Sequence, residues 1–361
     1  MHFTQQDKEY KDTKEMNPIK NIEIKNFKSI RHQTIDDCKR INVFIGYPNV
    51  GKSNILEAIG LYSSFLLQNE YFKINEICRV KSFSELFFNK DYRNPCSVII
   101  NDKIQIEVII NSSNDLELRA QNVHEDIVQQ HVLFSLSVNN MNFHSSVLRP
   151  IIESDYNEVV ASIRKYEFRN DGVLNQKQPF TLAVPSGNNL LDILQRDSLL
   201  RREVASLFET FNLKLFLDGE EIKFLKYLND GTGVSIAYHL VADTLRRLIF
   251  YKAALLSNKN SVLLFEEPEA HMFPPYIRKF TSDVIFDKTN QFFITTHSPY
   301  VLDELILEAA EDLSVYLVDY KDGETKIHHL SSSDLKEVRE YGVDLFFNIE
   351  SYLKHGQVNN A

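Results

Sequence analysis

Two kinds of apolar pattern alternate along this chain. Lys20 to Phe27 alternates charged and apolar residues, the pattern of a strand with one face buried. Ile41-Asn42-Val43-Phe44-Ile45, Ser261-Val262-Leu263-Leu264-Phe265 and Gln291-Phe292-Phe293-Ile294-Thr295 are short apolar runs instead. Such runs predict strands in a sheet covered on both faces. Ser53 to Leu67 has helical periodicity, with Ile55, Leu56, Ile59 and Leu66 on one side, and Thr244 to Leu256 reads likewise. Strand-like runs follow at Cys96–Ile100, Lys103–Ile110 and His131–Val138. Between about 150 and 225 the pattern changes. Ser154–Arg169 and Leu190–Phe211 read as helices, the second with Leu191, Leu194, Leu199, Leu200, Val204 and Leu207 at roughly helical spacing. Asp230-Gly231-Thr232-Gly233 lies between the apolar-rich runs Phe224–Leu228 and Val234–Leu240 and predicts a hairpin, as does Lys321-Asp322-Gly323-Glu324. A helix is expected around Leu302–Ala310, and a closing helix near Asp334, with Glu337 three residues on as a capping box.

Strands alternating with helices at both ends, around a more meandering middle, predict an α/β core with an insertion. The expected division is a flexible tail at 1–18, an N-terminal lobe with a β subdomain at 19–149, a helical insertion at 150–225, a C-terminal lobe at 226–310, and a hairpin-and-helix cap at 311–361.

Composition narrows the picture. The 361 residues hold 43% hydrophobic positions, enough for a sizeable core, and only 11 glycines, which excludes collagen-like and Gly-rich linker architectures. The net charge is −10, and residues 301–361 carry 5 Lys+Arg against 13 Asp+Glu. A uniformly basic nucleic-acid coat is excluded, while a local basic patch is not. Cys38, Cys78 and Cys96 lack CxxC spacing, which fits a reducing cytosol. No apolar run reaches a membrane span, and the polar N-terminus has no signal-peptide core.

The chemistry is concentrated in three places. Gly46-Tyr47-Pro48-Asn49-Val50-Gly51-Lys52-Ser53 matches G-x-x-x-x-G-K-[ST] between a buried strand and a helix. Backbone N–H groups of such a loop surround phosphate oxygens, and side chains at the glycines would block the approach. Lys52 supplies charge to the β/γ-phosphates and the Ser53 hydroxyl ligates Mg²⁺. Glu266-Glu267-Pro268-Glu269 then ends a buried strand, where ligands bind in parallel sheets. Adjacent acids there can divide two tasks, one near Mg²⁺ and one orienting water. Thr295-Thr296-His297-Ser298-Pro299 follows another apolar strand, and its imidazole is placed to reach a γ-phosphate.

The order of these motifs, with Asn26-Phe27-Lys28-Ser29 before them, resembles an ABC-type ATPase head of the RecF/SMC/OLD kind, a P-loop NTPase with a mixed β lobe. The resemblance is strongest over about 20–70 and 225–305. It implies ATP and Mg²⁺ as ligands, with nucleotide contacts at Lys28, Asn49, Val50, Gly51, Lys52, Ser53 and Asn54. It implies metal contacts at Ser53 and Glu266, and catalytic roles for Glu267, His297 and Lys52. Glu266 stands where most of the superfamily has Asp. The signature motif that contacts the γ-phosphate of a partner subunit falls by spacing at Val241–Arg247, with Asp243 and Thr244 as the contact, and lacks the usual small-residue run. Asp230-Gly231-Thr232-Gly233 looks more like a signature by composition but lies farther from Glu266 and has hairpin flanks. A loop equivalent to the family's Q-loop is expected near Phe87–Asp91.

If the resemblance holds, ATP clamps two heads into a homodimer or higher homo-oligomer and hydrolysis releases them. The short stretch after His297 shows no Asp-x-Asp pair or His-Asn-His pattern, so no nuclease domain is expected there, and no heptads predict a long coiled coil. The expectation is a cytoplasmic sensor or regulatory ATPase of an anti-phage defence system, controlling a separate nuclease or toxin. A DNA-repair or replication ATPase binding DNA directly, and a weakly hydrolytic scaffold, remain open as alternatives.

Overall fold

The computed structural model describes residues 18–67, 74–112, 115–123, 132–139, 142–144, 162–170 and 180–358. The tail expected at 1–18 lies outside these residues except for Pro18.

Three sheets form. The first is antiparallel and contains β1 (Ile22–Phe27), β2 (Ile30–Ile35), β4 (Cys96–Ile100), β5 (Ile104–Ile110), β6 (Leu116–Asn122), β7 (Val132–Asn139) and β8 (Asn142–His144), in the order β2-β1-β4-β5-β6-β7-β8. The second joins β10 (Lys214–Leu217), β11 (Ile222–Tyr227) and β12 (Gly233–Ala237). The third is the central sheet. It holds β3 (Ile41–Ile45), β9 (Ile163–Tyr166), β13 (Val262–Glu266), β14 (Gln291–Thr295), β15 (Leu313–Lys321) and β16 (Glu324–His329), in the order β16-β15-β3-β14-β13-β9. All its pairings are parallel except the β15–β16 hairpin.

The helices are α1 (Lys52–Gly60), α2 (Leu190–Arg196), α3 (Ser198–Glu209), α4 (Asp243–Ser257), α5 (Pro274–Phe286), α6 (Pro299–Ala309), α7 (Ser332–Tyr341) and α8 (Leu345–Val358). The central sheet is covered on both faces, which is why its strands are apolar almost throughout. Alternate side chains feed two separate cores. Ile41, Val43, Ile45, Leu263, Phe265, Phe292 and Ile294 pack with residues of α2 to α6. Phe44, Val262, Leu264 and Phe293 pack with α1 and the antiparallel sheet.

Several expectations are corrected. Of the helix read over Ser154–Arg169, residues 154–161 lie outside the described residues, and within the remainder Ile163–Tyr166 is a strand, paired parallel with β13. Ile163, Lys165 and Tyr166 are buried there, so the region 150–225 contributes an edge strand to the central sheet and is not purely helical. The helix read over Leu190–Phe211 breaks at Asp197, whose side chain caps α3 by accepting from the N–H groups of Leu199 and Leu200. Leu199 consequently faces solvent while Leu200 is buried. The helix after the phosphate loop ends at Gly60 and continues as a 3₁₀ segment to Leu67. The closing capping box is Ser331 with Asp334, one turn earlier than Asp334 with Glu337. Strands β2 and β6 were not read from the sequence: β2 buries only Ile30 and Ile35, whereas β6 alternates over Leu116–Ala120 and was missed.

Candidate active site

The three motifs follow neighbouring strands. The phosphate loop leaves β3, Thr296-His297 leaves β14, and Glu266-Glu267 ends β13, and these three strands lie side by side in the order β3-β14-β13. Their carboxyl ends therefore open at one edge, the ligand-binding edge of a parallel sheet.

In the loop, Asn49 (φ 64°) and Gly51 (φ 103°) take the left-handed conformation that turns the chain into α1. Both loop glycines are also held by packing. A Cβ on Gly51 would meet the Thr325 hydroxyl oxygen at 2.1 Å, and one on Gly46 would meet the Val318 carbonyl oxygen at 2.2 Å. The glycines thus admit the β15–β16 hairpin beneath the loop, a constraint separate from phosphate approach. Val50 is buried, and its carbonyl accepts from Thr325 Oγ1 at 2.8 Å.

Lys52 is 5% exposed and its Nζ donates to the carbonyls of Gly46 (3.0 Å) and Tyr47 (2.8 Å). Burial pulls its pKa down to about 8, against the opposing pull of Glu267 and Glu266. The amine is thus held inside the curve of the loop, where a phosphate would arrive.

Glu266 and Glu267 diverge as successive residues at a strand end should. Burial alone would raise the Glu266 carboxyl. The Arg79 guanidinium, with Lys165 and the Ser53 hydroxyl behind it, holds it below its ordinary value. Its Oε1 is ion-paired with Arg79, while Oε2 is buried with no hydrogen-bond partner. A buried carboxylate oxygen left open beside Ser53 suits a hard cation such as Mg²⁺, which takes one or two carboxylates together with phosphate oxygens and water. Glu267 adopts φ 41° and donates its N–H to the Thr295 carbonyl at 3.0 Å. Non-glycine residues in this region are sparse and cluster at functional sites. The turn brings its carboxylate to 3.4 Å from His297 Nε2. Burial and the Lys52 charge lower the His297 pKa, opposed by Glu267, so the imidazole is neutral at pH 7.

Two residues at this edge were missed from the sequence. Glu269 is buried and accepts from Thr296 Oγ1 (2.6 Å) and the His297 N–H (3.1 Å), fixing the loop that carries the histidine. Burial raises its pKa. The acidic run itself was its only sequence signal. Arg79 left none. It bridges Glu266 and Glu57, and Glu57 in turn is ion-paired with Lys28. The expected nucleotide contact Lys28 therefore has its amine on Glu57 and the Arg79 carbonyl. Asn54 donates its amide to Ser29 Oγ at 2.7 Å. At the expected Q-loop, Phe87 bridges Phe27 and Asp91 pairs with Arg93.

Asp243 and Thr244 form the first turn of α4. Thr244 Oγ1 donates to the His271 carbonyl at 2.7 Å, and Asp243 accepts from Arg247 Nε at 2.8 Å. Arg246 and Arg247 are largely covered rather than ordinary surface residues. Asp230–Gly233 is the turn of the β11–β12 hairpin.

Residues 133–303 match the family model described as "AAA domain, putative AbiEii toxin, Type IV TA system". A Helicobacter pylori protein named "ATP/GTP phosphatase" is 23% identical, over 80% of this chain and 89% of its own. Among solved structures, the SMC head domain from Thermotoga maritima is 15% identical, covers 87% of this chain and 99% of its own, and has a TM-score of 0.42. An Smc head domain with an extended coiled coil, bound to the C-terminal domain of ScpA derived from Pyrococcus furiosus, is 15% identical with a TM-score of 0.49, covering 90% and 98%.

Proposed function

We propose that this protein, an ABC-type P-loop ATPase head, hydrolyses ATP with Mg²⁺ to drive pairing and release of two copies. In this reading it is the regulatory ATPase of a prokaryotic anti-phage defence system that acts in the cytoplasm on a separate nuclease or toxin. The carrying observation is the convergence of Lys52, Glu266, Glu267 and His297 at the carboxyl ends of three neighbouring strands.

Each residue has a task that its surroundings support. Lys52 trades its two carbonyl partners for β- and γ-phosphate oxygens, which restores the charge that burial disfavours. Ser53 and Glu266 Oε2 would hold Mg²⁺, which when bound neutralises phosphate charge. Glu267 Oε1 orients the attacking water and takes its proton. Neutral His297, fixed by Glu269, hydrogen-bonds the γ-phosphate without competing with Lys52 as a second cation. The first turn of α4, with Asp243 and Thr244, would meet the γ-phosphate held by the partner copy.

The family description over residues 133–303 names a toxin and a TA system, which supports a link to a toxin, and the name of the Helicobacter pylori relative supports nucleotide hydrolysis. The test is phage plating on cells carrying the gene with its neighbours. Lys52→Ala should abolish protection while the protein stays folded. Protection that survives Lys52→Ala would remove its dependence on ATP, and absence of protection in the parent would remove the defence reading.

A further inference from the structure

A second cavity, of about 250 Å³, lies away from the phosphate loop. It opens where the chain leaving β9 (Phe168, Arg169), the turn at Ser186-Gly187 and helix α4 (Arg246, Phe250) meet. Its position follows from the packing. Gly187 has φ 71°, and a Cβ there would come within 2.8 Å of the Phe250 ring, so only glycine lets the turn lie on that ring.

One guanidinium in the lining is short of partners. The Arg246 side chain is 11% exposed, and its Nε is buried with no hydrogen-bond partner. Its nearest carboxylate oxygen, Asp243 Oδ1, is 3.5 Å away, at the outer limit of a hydrogen bond. Asp243 spends its short contact on Arg247 instead, at 2.8 Å. Guanidinium groups pair with carboxylate or phosphate through a planar fork, and a buried donor without a partner is costly and rare. Arg169 also lines the wall, with its guanidinium paired to Glu167 at 3.6 Å and donating to the Glu76 carbonyl at 3.4 Å. The apolar part of the wall is mixed: Leu190, Ile222 and Ala237 line it together with Phe168 and Phe250, whose rings meet edge-to-face at 5.7 Å between centroids. The exposed acids Glu220 and Glu221 line the same cavity and would repel a polyphosphate.

We propose that this cavity binds a small ligand with one flat ring and a single carboxylate or phosphate group, the anion on Arg246 and the ring on the apolar wall beside Phe168, Leu190 and Ile222. Arg246 is ion-paired with Asp243, which the ATPase reading places at the partner's γ-phosphate, but the readout is binding in the absence of ATP and so fails or succeeds apart from that reading.

The test is titration calorimetry of the full chain with benzoate and with phenyl phosphate. One or both should bind saturably at one site, and excess ADP should leave that binding unchanged. Preference for benzoate identifies a carboxylate ligand, and preference for phenyl phosphate a phosphorylated one. Arg246→Gln should weaken binding at least tenfold. Arg246→Lys, which keeps the charge without the fork, should weaken it several-fold and serves alone if Arg246→Gln does not fold by circular dichroism. No saturable binding of either probe, equal affinity in the Arg246 variants, or displacement by ADP would each overturn the proposal.

Discussion

Thr325 Oγ1 donates to the Val50 carbonyl at 2.8 Å, joining the C-terminal hairpin to the phosphate loop across 275 positions of sequence. That bond assigns the others around it. With its proton on Val50, the Thr325 hydroxyl oxygen must accept from Ser29 Oγ, 2.6 Å away. Ser29 in turn accepts from the Asn54 amide at 2.7 Å. The relay runs Asn54 to Ser29 to Thr325 to Val50, starting and ending on residues that flank Lys52. Each member polarises the next, so the relay is stiffer than its separate bonds. It holds the loop's shape before any phosphate arrives, which lowers the ordering cost of binding.

Replacing Thr325 with Val keeps the volume and removes both bonds. Loss of a buried hydrogen bond costs about 1 kcal/mol, more where an acceptor is left unpaired. ATP affinity should fall about tenfold by titration calorimetry, with only a few degrees lost in Tm. Unchanged affinity would show that the loop keeps its shape without the hairpin.

Glu267→Gln should leave ATP binding within a few-fold of the parent and slow steady-state hydrolysis by at least about 100-fold, the range for removing a positioned base. The same variant should form ATP-dependent dimers in light scattering, since the bound nucleotide is no longer consumed. Turnover at the parental rate would move the catalytic assignment elsewhere.

Lys52 gives a pH signature. Its folded pKa of about 8 lies below the ordinary lysine value because of burial. Phosphate binding requires the charged form, so affinity is full below pH 8 and falls as pH rises through it. With bound-state charge fully restored, ATP should bind about tenfold more weakly at pH 9 than at pH 7. Calorimetry at pH 8.5 in buffers of different ionisation enthalpy should report proton uptake. Flat affinity from pH 7 to 9.5 would contradict it.

Arg79→Ala should act through Glu266. The arginine holds that carboxyl below its ordinary value, and without it burial pushes the pKa up. Protonation then begins at higher pH, so the acidic limb of the kcat/KM profile should shift upward. The variant should lose proportionally more activity at pH 5.5 than at pH 7.5. A parallel loss at both pH values would mean that Arg79 contributes only charge near the nucleotide.

The central strands were legible because burial on both faces leaves an unbroken apolar run. Ile41–Ile45 and Gln291–Thr295 have the expected bounds, and Val262–Glu266 is displaced by one residue. The region 150–225 was misread where Ile163–Tyr166 forms a strand. That tetrapeptide, Ile-Arg-Lys-Tyr, is too short and too charged to show a period, and only pairing with β13 and burial of Lys165 make it a strand. Lys165 is tolerated inside because its Nζ donates to the Ile77 carbonyl at 2.6 Å.

The sequence by itself determined the chemical parts: a phosphate loop between strand and helix, two acids closing one strand and a histidine after the next. These are local patterns, readable because their spacing reflects the conformation of a few adjacent residues. Only the tertiary structure decided what stands around them. Arg79 on Glu266, Glu269 under His297 and Thr325 beneath the loop all depend on segments far apart in sequence. Such contacts leave no periodicity, because distance along the chain says nothing about which side chains the packed sheet brings together.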